Sequence, residues 1–495
     1  MTDILREPGQ KTDPRPLDQP IPGVAVPAAD SARTDAAPSP RNTVDPVRLG
    51  AALSLRDAVD PVAMDVVLPA DEIARHFAEH FAGIPATPLT RDEPAVTYQV
   101  PGSAMPVLLG AYGAERRVRD WLPGLPDRTD RAAAHRLAAA AIAPVTVADP
   151  VCAQVVSMPG DLTALPALTA TPRDAGPYLT TGIVMAGDVA MSVHRMLVLD
   201  ATRLAIWMVP GRALRRLHES TGRLAVSVNI GAPPAAMVAS ALGTAFLPAG
   251  VDKLSMAGAL AGAPARIATG VSQAVPVLAD SEIVIEGYLD DTVADETLDG
   301  PPGVSLPEFL GYDGEARTGL PVITVTAVTT RRDPLFHAVI GPGREQSVIL
   351  GLAGAVSVAL SDTGPHGHLL HDLHFSAAGG GMLLLVAAVR KTSADDDGAL
   401  ADLAERILRQ HFFVKLVVFT DPDVDIRAPE DVLWAMTTRT NLGTDTGTIS
   451  GFGPLPVDPS HSATWREGRS DRSFVDATTP FSLRHNVFRS FGGQP

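Results

Sequence analysis

The stretch from Gly187 to Tyr312 constrains the fold most, because its hydrophobic period changes several times over a short distance. Met196 and Val198, then Leu204, Ile206 and Met208, alternate as two strands around a turn at Asp200–Arg203. A helical pattern follows, opened by Pro210 and closed by Gly222, with Leu214 and Leu217 on its apolar side. Arg223 to Ile230 predicts another strand. Gly231-Ala232-Pro233-Pro234 then enters a short Ala-rich helix that stops at Gly243. Arg195 stands at the start of the first strand among apolar neighbours. A cation there needs a carboxylate or an anionic ligand to offset its lost hydration.

On either side the pattern differs. Residues 1–45 are rich in Pro, Asp, Ala and Ser without periodicity, and predict a disordered tail. Residues 46–150 predict an α/β segment: a helix from Pro69 to Phe81, a strand from Ala95 to Val100 and an Ala-rich helix from Arg128 to Ala143. Residues 151–342 are strand-rich, with Tyr178 to Met185, Ala265 to Thr269, Glu282 to Tyr288, Val322 to Arg331 and Phe336 to Ile340 joining the strands above. Residues 343–455 alternate helix and strand, which predicts a layered C-terminal domain, and 456–495 reads as a tail with a short helix. The whole is α+β.

Several function classes drop out. The formal charge of -16 argues against nucleic acid, since phosphate binding needs a basic face. Cys152 is the only cysteine, which excludes internal disulfides and multi-Cys zinc sites. No apolar run approaches a membrane span, and the first residues lack an apolar signal core, so a soluble cytoplasmic protein is expected. His76 and His80 lie four apart on a predicted helix, but two ligands rarely make a metal site, and a polar helix face accounts for them. His366, His368, His371 and His374 are denser, yet Gly and Pro interrupt them; a loop entering a strand accounts for these. Glu282 and Glu286 share one strand face. Two carboxylates so placed can act as acid and base, or can pair with arginines and position loops.

An ordered set of short motifs resembles the UbiD-type decarboxylases, which use prenylated FMN. The set begins with Ser192-Val193-His194-Arg195, Pro210-Gly211-Arg212, Gly231-Ala232-Pro233-Pro234, Gly250-Val251-Asp252 and Ala257-Gly258-Ala259-Leu260. It continues through Glu282-Ile283-Val284-Ile285-Glu286-Gly287 and Glu308-Phe309-Leu310-Gly311-Tyr312 to Asp421-Pro422-Asp423, Asp431-Val432-Leu433-Trp434 and Val475-Asp476-Ala477-Thr478. The resemblance implies an N-terminal α/β segment, a central split β-barrel of the flavin-binding type and a C-terminal α/β domain for oligomerisation. It implies non-oxidative decarboxylation of an unsaturated or aromatic acid by a homodimer or larger homo-oligomer.

It also implies roles. Arg195 holds the substrate carboxylate, and Glu308 protonates the carbon after carbon dioxide leaves. The family's first acid falls on Gly303 without a gap, and the nearest acidic match is Asp299. Ser192, Val193, His194, Arg212, Ser240 and Lys253 would contact the cofactor. The family holds the flavin phosphate through a divalent metal on Asn, His and Glu; the matching positions here are Ala190, Ala213 and Lys253, so no metal is expected there. Two readings follow. Lys253 replaces the metal's charge and meets the phosphate directly, or the flavin is lost and an acid–base site around Arg195 and Glu308 decarboxylates an activated acid, hydrolyses or cyclises without it. A third reading is a non-catalytic homologue that binds a partner.

Overall fold

Long alternating strands punctuated by tight turns must close on themselves or be covered, because an open sheet edge leaves backbone donors and acceptors unpaired. The computed structural model shows closure. It describes residues 53–81, 92–187, 190–209, 211–296, 305–307, 313–314, 316–340, 343–455, 457–461, 470–487 and 489. The expected N-terminal tail, Pro210, Asp299, Gly303 and Glu308 lie outside the described residues.

The first part holds α1 (Leu55–Ala58), β1 (Val62–Val67), α2 (Ala70–His80), β2 (Val96–Gln99), β3 (Val107–Leu109), α3 (Glu115–Asp120) and α4 (Arg131–Ala139). The middle runs through β4 (Val145–Thr146), β5 (Val155–Ser157), β6 (Tyr178–Ala186), β7 (Ala190–Asp200), β8 (Arg203–Ile206), α5 (Ala213–Thr221), β9 (Leu224–Ile230), α6 (Pro234–Ser240) and α7 (Lys253–Ala261). It continues with β10 (Arg266–Thr269), β11 (Pro276–Leu278), β12 (Ile283–Ala294), β13 (Ser305–Pro307), β14 (Asp313–Gly314), β15 (Leu320–Thr330) and β16 (Phe336–His337). The last part is α8 (Arg344–Leu360), β17 (Leu370–Phe375), β18 (Leu384–Val389), α9 (Leu400–Gln410), β19 (Leu416–Thr420), α10 (Pro429–Thr438), β20 (Thr446–Ile449) and β21 (Arg472–Ala477).

Strands β12, β9, β6, β7, β8 and β15 pair in that order, and β15 pairs back onto β12, so the barrel is a closed antiparallel ring. Alternate residues fill it: Met196 of β7, Val226 and Val228 of β9, Ile283 and Ile285 of β12, and Ile323 of β15 are all buried in one cluster. The other face of β6 and β7 (Ile183, Met185, Met191) packs on a second cluster with α6 and α8. The seven residues of α6 are all buried, which explains its Ala-rich composition.

Two expectations change. Phe336–His337 does not extend the barrel; it pairs in parallel with β3 in the N-terminal sheet. Residues 456–495 are more than a tail, because β21 lies inside the C-terminal sheet, whose order is β17-β18-β19-β21-β20. That sheet is covered on both faces. Leu385, Ala387 and Val389 of β18 pack with α8 and α9, and Val386 and Ala388 pack with α10. Arg472 of β21 is buried and donates to the carbonyls of Leu408, His411 and Val414, which terminates α9 against the sheet. Glu345 ties the N-terminal segment to α8 by accepting from the amides of Gly110 at 2.7 Å and Tyr112 at 2.9 Å. No described helix is long and apolar enough to cross a membrane.

Candidate active site

Arg195 lies well inside β7 rather than at the start of its strand. Its side chain is 19% exposed and its Nη2 faces Glu296 Oε1 at 3.6 Å. Glu296 is buried, just past the end of β12, and accepts from the Tyr178 hydroxyl at 3.3 Å. Tyr178 packs with Leu197 and Leu320, and Trp207 leans on the same apolar cluster. The Arg317 guanidinium stacks over Trp207 at 3.7 Å, and the Arg317 carbonyl accepts from the Glu296 amide at 2.8 Å. A second carboxylate, Asp174, is raised by burial against the pull of Thr171 and Arg195. Its turn is fixed by the amides of Ala170 and Thr171. A guanidinium in this half-dry setting can grip an incoming carboxylate with two prongs, in competition with Glu296 for its Nη2.

Ser192 and His194 stand three and one residues before Arg195 on β7. His194 Nδ1 lies 3.0 Å from the Trp207 carbonyl, so Nδ1 carries the proton and Nε2 accepts from Ser192 Oγ at 2.8 Å. Burial holds the ring neutral and pushes its pKa to about 4, with Lys253 adding to the depression. Lys253 is the first residue of α7 and is buried; its ammonium donates to the Ser240 carbonyl at 2.7 Å. Burial, then the charge of Arg212, lowers Lys253 to about 7. Arg212, exposed, occupies the N-cap position of α5 without a side-chain capping bond, and its charge also acts on His411, whose ring stacks on Phe246 at 4.5 Å and is pushed by burial to about 4. Lys253 and Arg212 are the positive charges felt by the neutral rings of His194 and His411 respectively, and Ser240 holds Lys253 through its backbone carbonyl. Val193 lies between Ser192 and His194 and packs on the helical core.

Other candidates are placed elsewhere. Glu282 is fully buried between Arg56 at 3.0 Å and Arg331 at 3.2 Å and accepts from the Leu335 amide. Glu286 accepts from the amides of Val271, Ser272 and Gln273 and from the Ser272 hydroxyl. With their lone pairs committed, both carboxylates position loops rather than serve as an acid–base pair. His76 bonds Tyr98 and stacks on His80. His366, His368, His371 and His374 go to four different partners: Asp402, Pro365, Arg390 and Glu115. Ala190 opens β7 and Ala213 opens α5. Among the described residues no group of three or more His, Cys, Asp or Glu side chains could hold a metal.

Sequence reasoning missed Glu296. The Asp299-Gly300-Pro301 match drew attention three residues further on, whereas Glu296 has no motif of its own. Its signal is positional: it follows directly on the barrel strand β12.

Comparison with known proteins matches both the strand-rich middle and the C-terminal part of the chain. Residues 144–345 match the 3-octaprenyl-4-hydroxybenzoate carboxy-lyase Rift-related domain, and residues 348–477 match the C-terminal domain of the same carboxy-lyases. A gallate decarboxylase of Lactiplantibacillus plantarum is 31% identical over 339 residues, 65% of this chain and 69% of that protein. The apo 3,4-dihydroxybenzoic acid decarboxylase of Klebsiella pneumoniae superposes with a TM-score of 0.80 at 29% identity, covering 89% of this chain and 97% of that one. A UbiD-class enzyme from Pelotomaculum thermopropionicum, solved in complex with FMN, gives a TM-score of 0.73 at 28% identity, covering 89% and 97%.

Proposed function

Because the chain belongs to the UbiD family of carboxy-lyases, we propose that it removes carbon dioxide from an aromatic or α,β-unsaturated carboxylic acid without net oxidation. The observation that carries this reading is Arg195, a largely buried guanidinium held by the Glu296 carboxylate at 3.6 Å. Arg195 binds the substrate carboxylate and orients the bond to be broken across the site. Tyr178 and Glu296 keep the guanidinium in place. The carbon–carboxylate bond breaks, carbon dioxide departs, and a proton is delivered to the carbon that held it. Glu308, assigned from the sequence, is the acid for that step.

The relatives point to prenylated FMN. When bound, that cofactor supplies the electron sink for the pair left by carbon dioxide. Lys253, buried at the start of α7, would meet its phosphate end, and Ala190 and Ala213 have no side-chain atom that could ligate a metal. Trp207, Tyr178 and Leu197 would exclude water on the substrate side.

The test is turnover. The protein would be produced with a flavin prenyltransferase and offered gallate and 3,4-dihydroxybenzoate, the acids on which similar proteins act, alongside other aromatic acids. Carbon dioxide release is expected with one of these, and Arg195→Ala should lower kcat/KM about a hundredfold or more. Full activity in Arg195→Ala would refute the assignment.

A further inference from the structure

Two adjoining rings carry buried polar atoms that the fold leaves unsatisfied. Tyr112, just after β3, and His337, in β16, are both fully enclosed, and their ring centroids lie 5.4 Å apart. Neither the Tyr112 hydroxyl nor His337 Nδ1 has a hydrogen-bond partner among the described residues. Glu345 of α8 fixes both residues: its Oε1 accepts from the Tyr112 amide at 2.9 Å and faces His337 Nε2 at 3.4 Å. An enclosed polar atom without a partner carries a desolvation cost that a ligand can relieve.

Their place in the fold is beside Arg195. The Thr181 hydroxyl of β6 donates to the His337 carbonyl at 2.7 Å. Thr181 sits where the β6–β7 register shifts, between the pairs Leu179–Met196 and Gly182–His194, and so lies across from Arg195. Tyr112 shares a buried cluster with Met191 of β7, and Val193 packs against that cluster. Val193 is two residues before Arg195 and on the same side of the strand.

The chemistry of the pair selects its ligand. With Nε2 turned to a carboxylate, the neutral His337 ring carries its proton there and Nδ1 offers a lone pair. Burial, then the charge of Glu345, raises Tyr112 well above the usual phenol value, so its hydroxyl stays a donor. One acceptor beside one donor matches a hydroxyl group, which gives one bond and takes another. A second anion would be repelled by the buried Glu345, and an apolar ring edge would leave both atoms unpaired.

We propose that Tyr112 and His337 form a specificity subsite that reads a ring hydroxyl on the acid whose carboxylate Arg195 holds. This rests on the decarboxylase reading for the carboxylate end, while the hydroxyl end is a property of these two rings.

The experiment measures binding, not turnover. The full chain, with FMN in excess, is titrated calorimetrically with benzoate, 4-hydroxybenzoate, 3,4-dihydroxybenzoate and terephthalate. At least one hydroxy acid is expected to bind about tenfold or more tightly than benzoate, and terephthalate more weakly than either. Tyr112→Phe and His337→Leu should bring the hydroxy acids down to the level of benzoate and leave benzoate itself unchanged. The thermal midpoint of Tyr112→Phe should be equal to that of the native chain or higher, because the lost hydroxyl had no protein partner. Equal binding of benzoate and the hydroxy acids, binding of none of them, or a preference that survives Tyr112→Phe would overturn the proposal. Arg195→Ala separates the two claims, since it should weaken every acid alike. A hydroxyl preference indifferent to Arg195 would refute the decarboxylase assignment and leave the two rings as a hydroxyl site, whereas Arg195-dependent binding without the preference would refute the subsite alone.

Discussion

Arg195 and Glu296 meet at 3.6 Å, and only one end of that pair is legible in the sequence. A lone arginine in an alternating apolar strand demands an anion, so Arg195 can be picked out from its neighbours. Glu296 cannot, because its partner lies on β7, a hundred positions away in the chain, and no local pattern marks the encounter. Glu282 and Glu286 show the converse. Strand alternation puts them on one face, but only the fold reveals that arginines and loop amides have taken up their oxygens. Glu296 is a positioning residue, since it acts on Arg195. Glu296→Gln keeps the shape and removes the charge, and should raise KM about tenfold by loosening the guanidinium that grips the substrate. A change in thermal midpoint with KM unaltered would mean that Glu296 is merely structural.

Among the elements, those with a strong period are where the sequence puts them. α2, β6 and the β7–β8 hairpin fall within a few residues of expectation. α7 carries no amphipathic signal because nearly every side in Lys253–Ala261 is buried, and composition without a polar face cannot mark a helix. β20 is short, and its Thr446-Gly447-Thr448-Ile449 sequence has little apolar character. The barrel seam between β12 and β15 rests on Gly287, where the register shifts after Glu286. A Cβ there would lie 2.2 Å from the Thr324 carbonyl oxygen, a backbone atom with no easy escape. Gly287→Ala should therefore lower stability by about 2 kcal/mol, read by urea denaturation. An unchanged midpoint would show that the seam opens at no cost.

For the whole molecule, half-buried neutral histidines set the acid limit. His194 and His411 sit near pKa 4, below the ordinary value of 6.5 that they regain on unfolding. The unfolded chain thus binds more protons between pH 6.5 and 4, and stability present above 6.5 is lost as the pH falls through that window. Each histidine contributes roughly 1.4 kcal/mol per pH unit there. Thermal midpoints should drop steeply from pH 6.5 to 4.5, and His411→Gln should flatten the slope; a slope identical to that of the native chain would count against its burial as a neutral ring. The three-part architecture was readable from composition and motif order, but not the crossing of β16 to the first sheet or the insertion of β21, because strand partners far apart in sequence leave no local trace.

The position of β21 also governs the timing of assembly during translation. β19 and β20 precede it in the chain, yet they reach each other only through it, since β21 pairs in parallel with one and antiparallel with the other. A ribosome adding about 5–20 residues per second finishes the barrel while that sheet still lacks an inner member. Until Arg472–Ala477 emerges, the waiting edge of β19, with Val417 and Phe419, is an open template for any passing strand. Nascent chains stalled ahead of Arg472 are thus the forms of this protein that chaperones should hold longest.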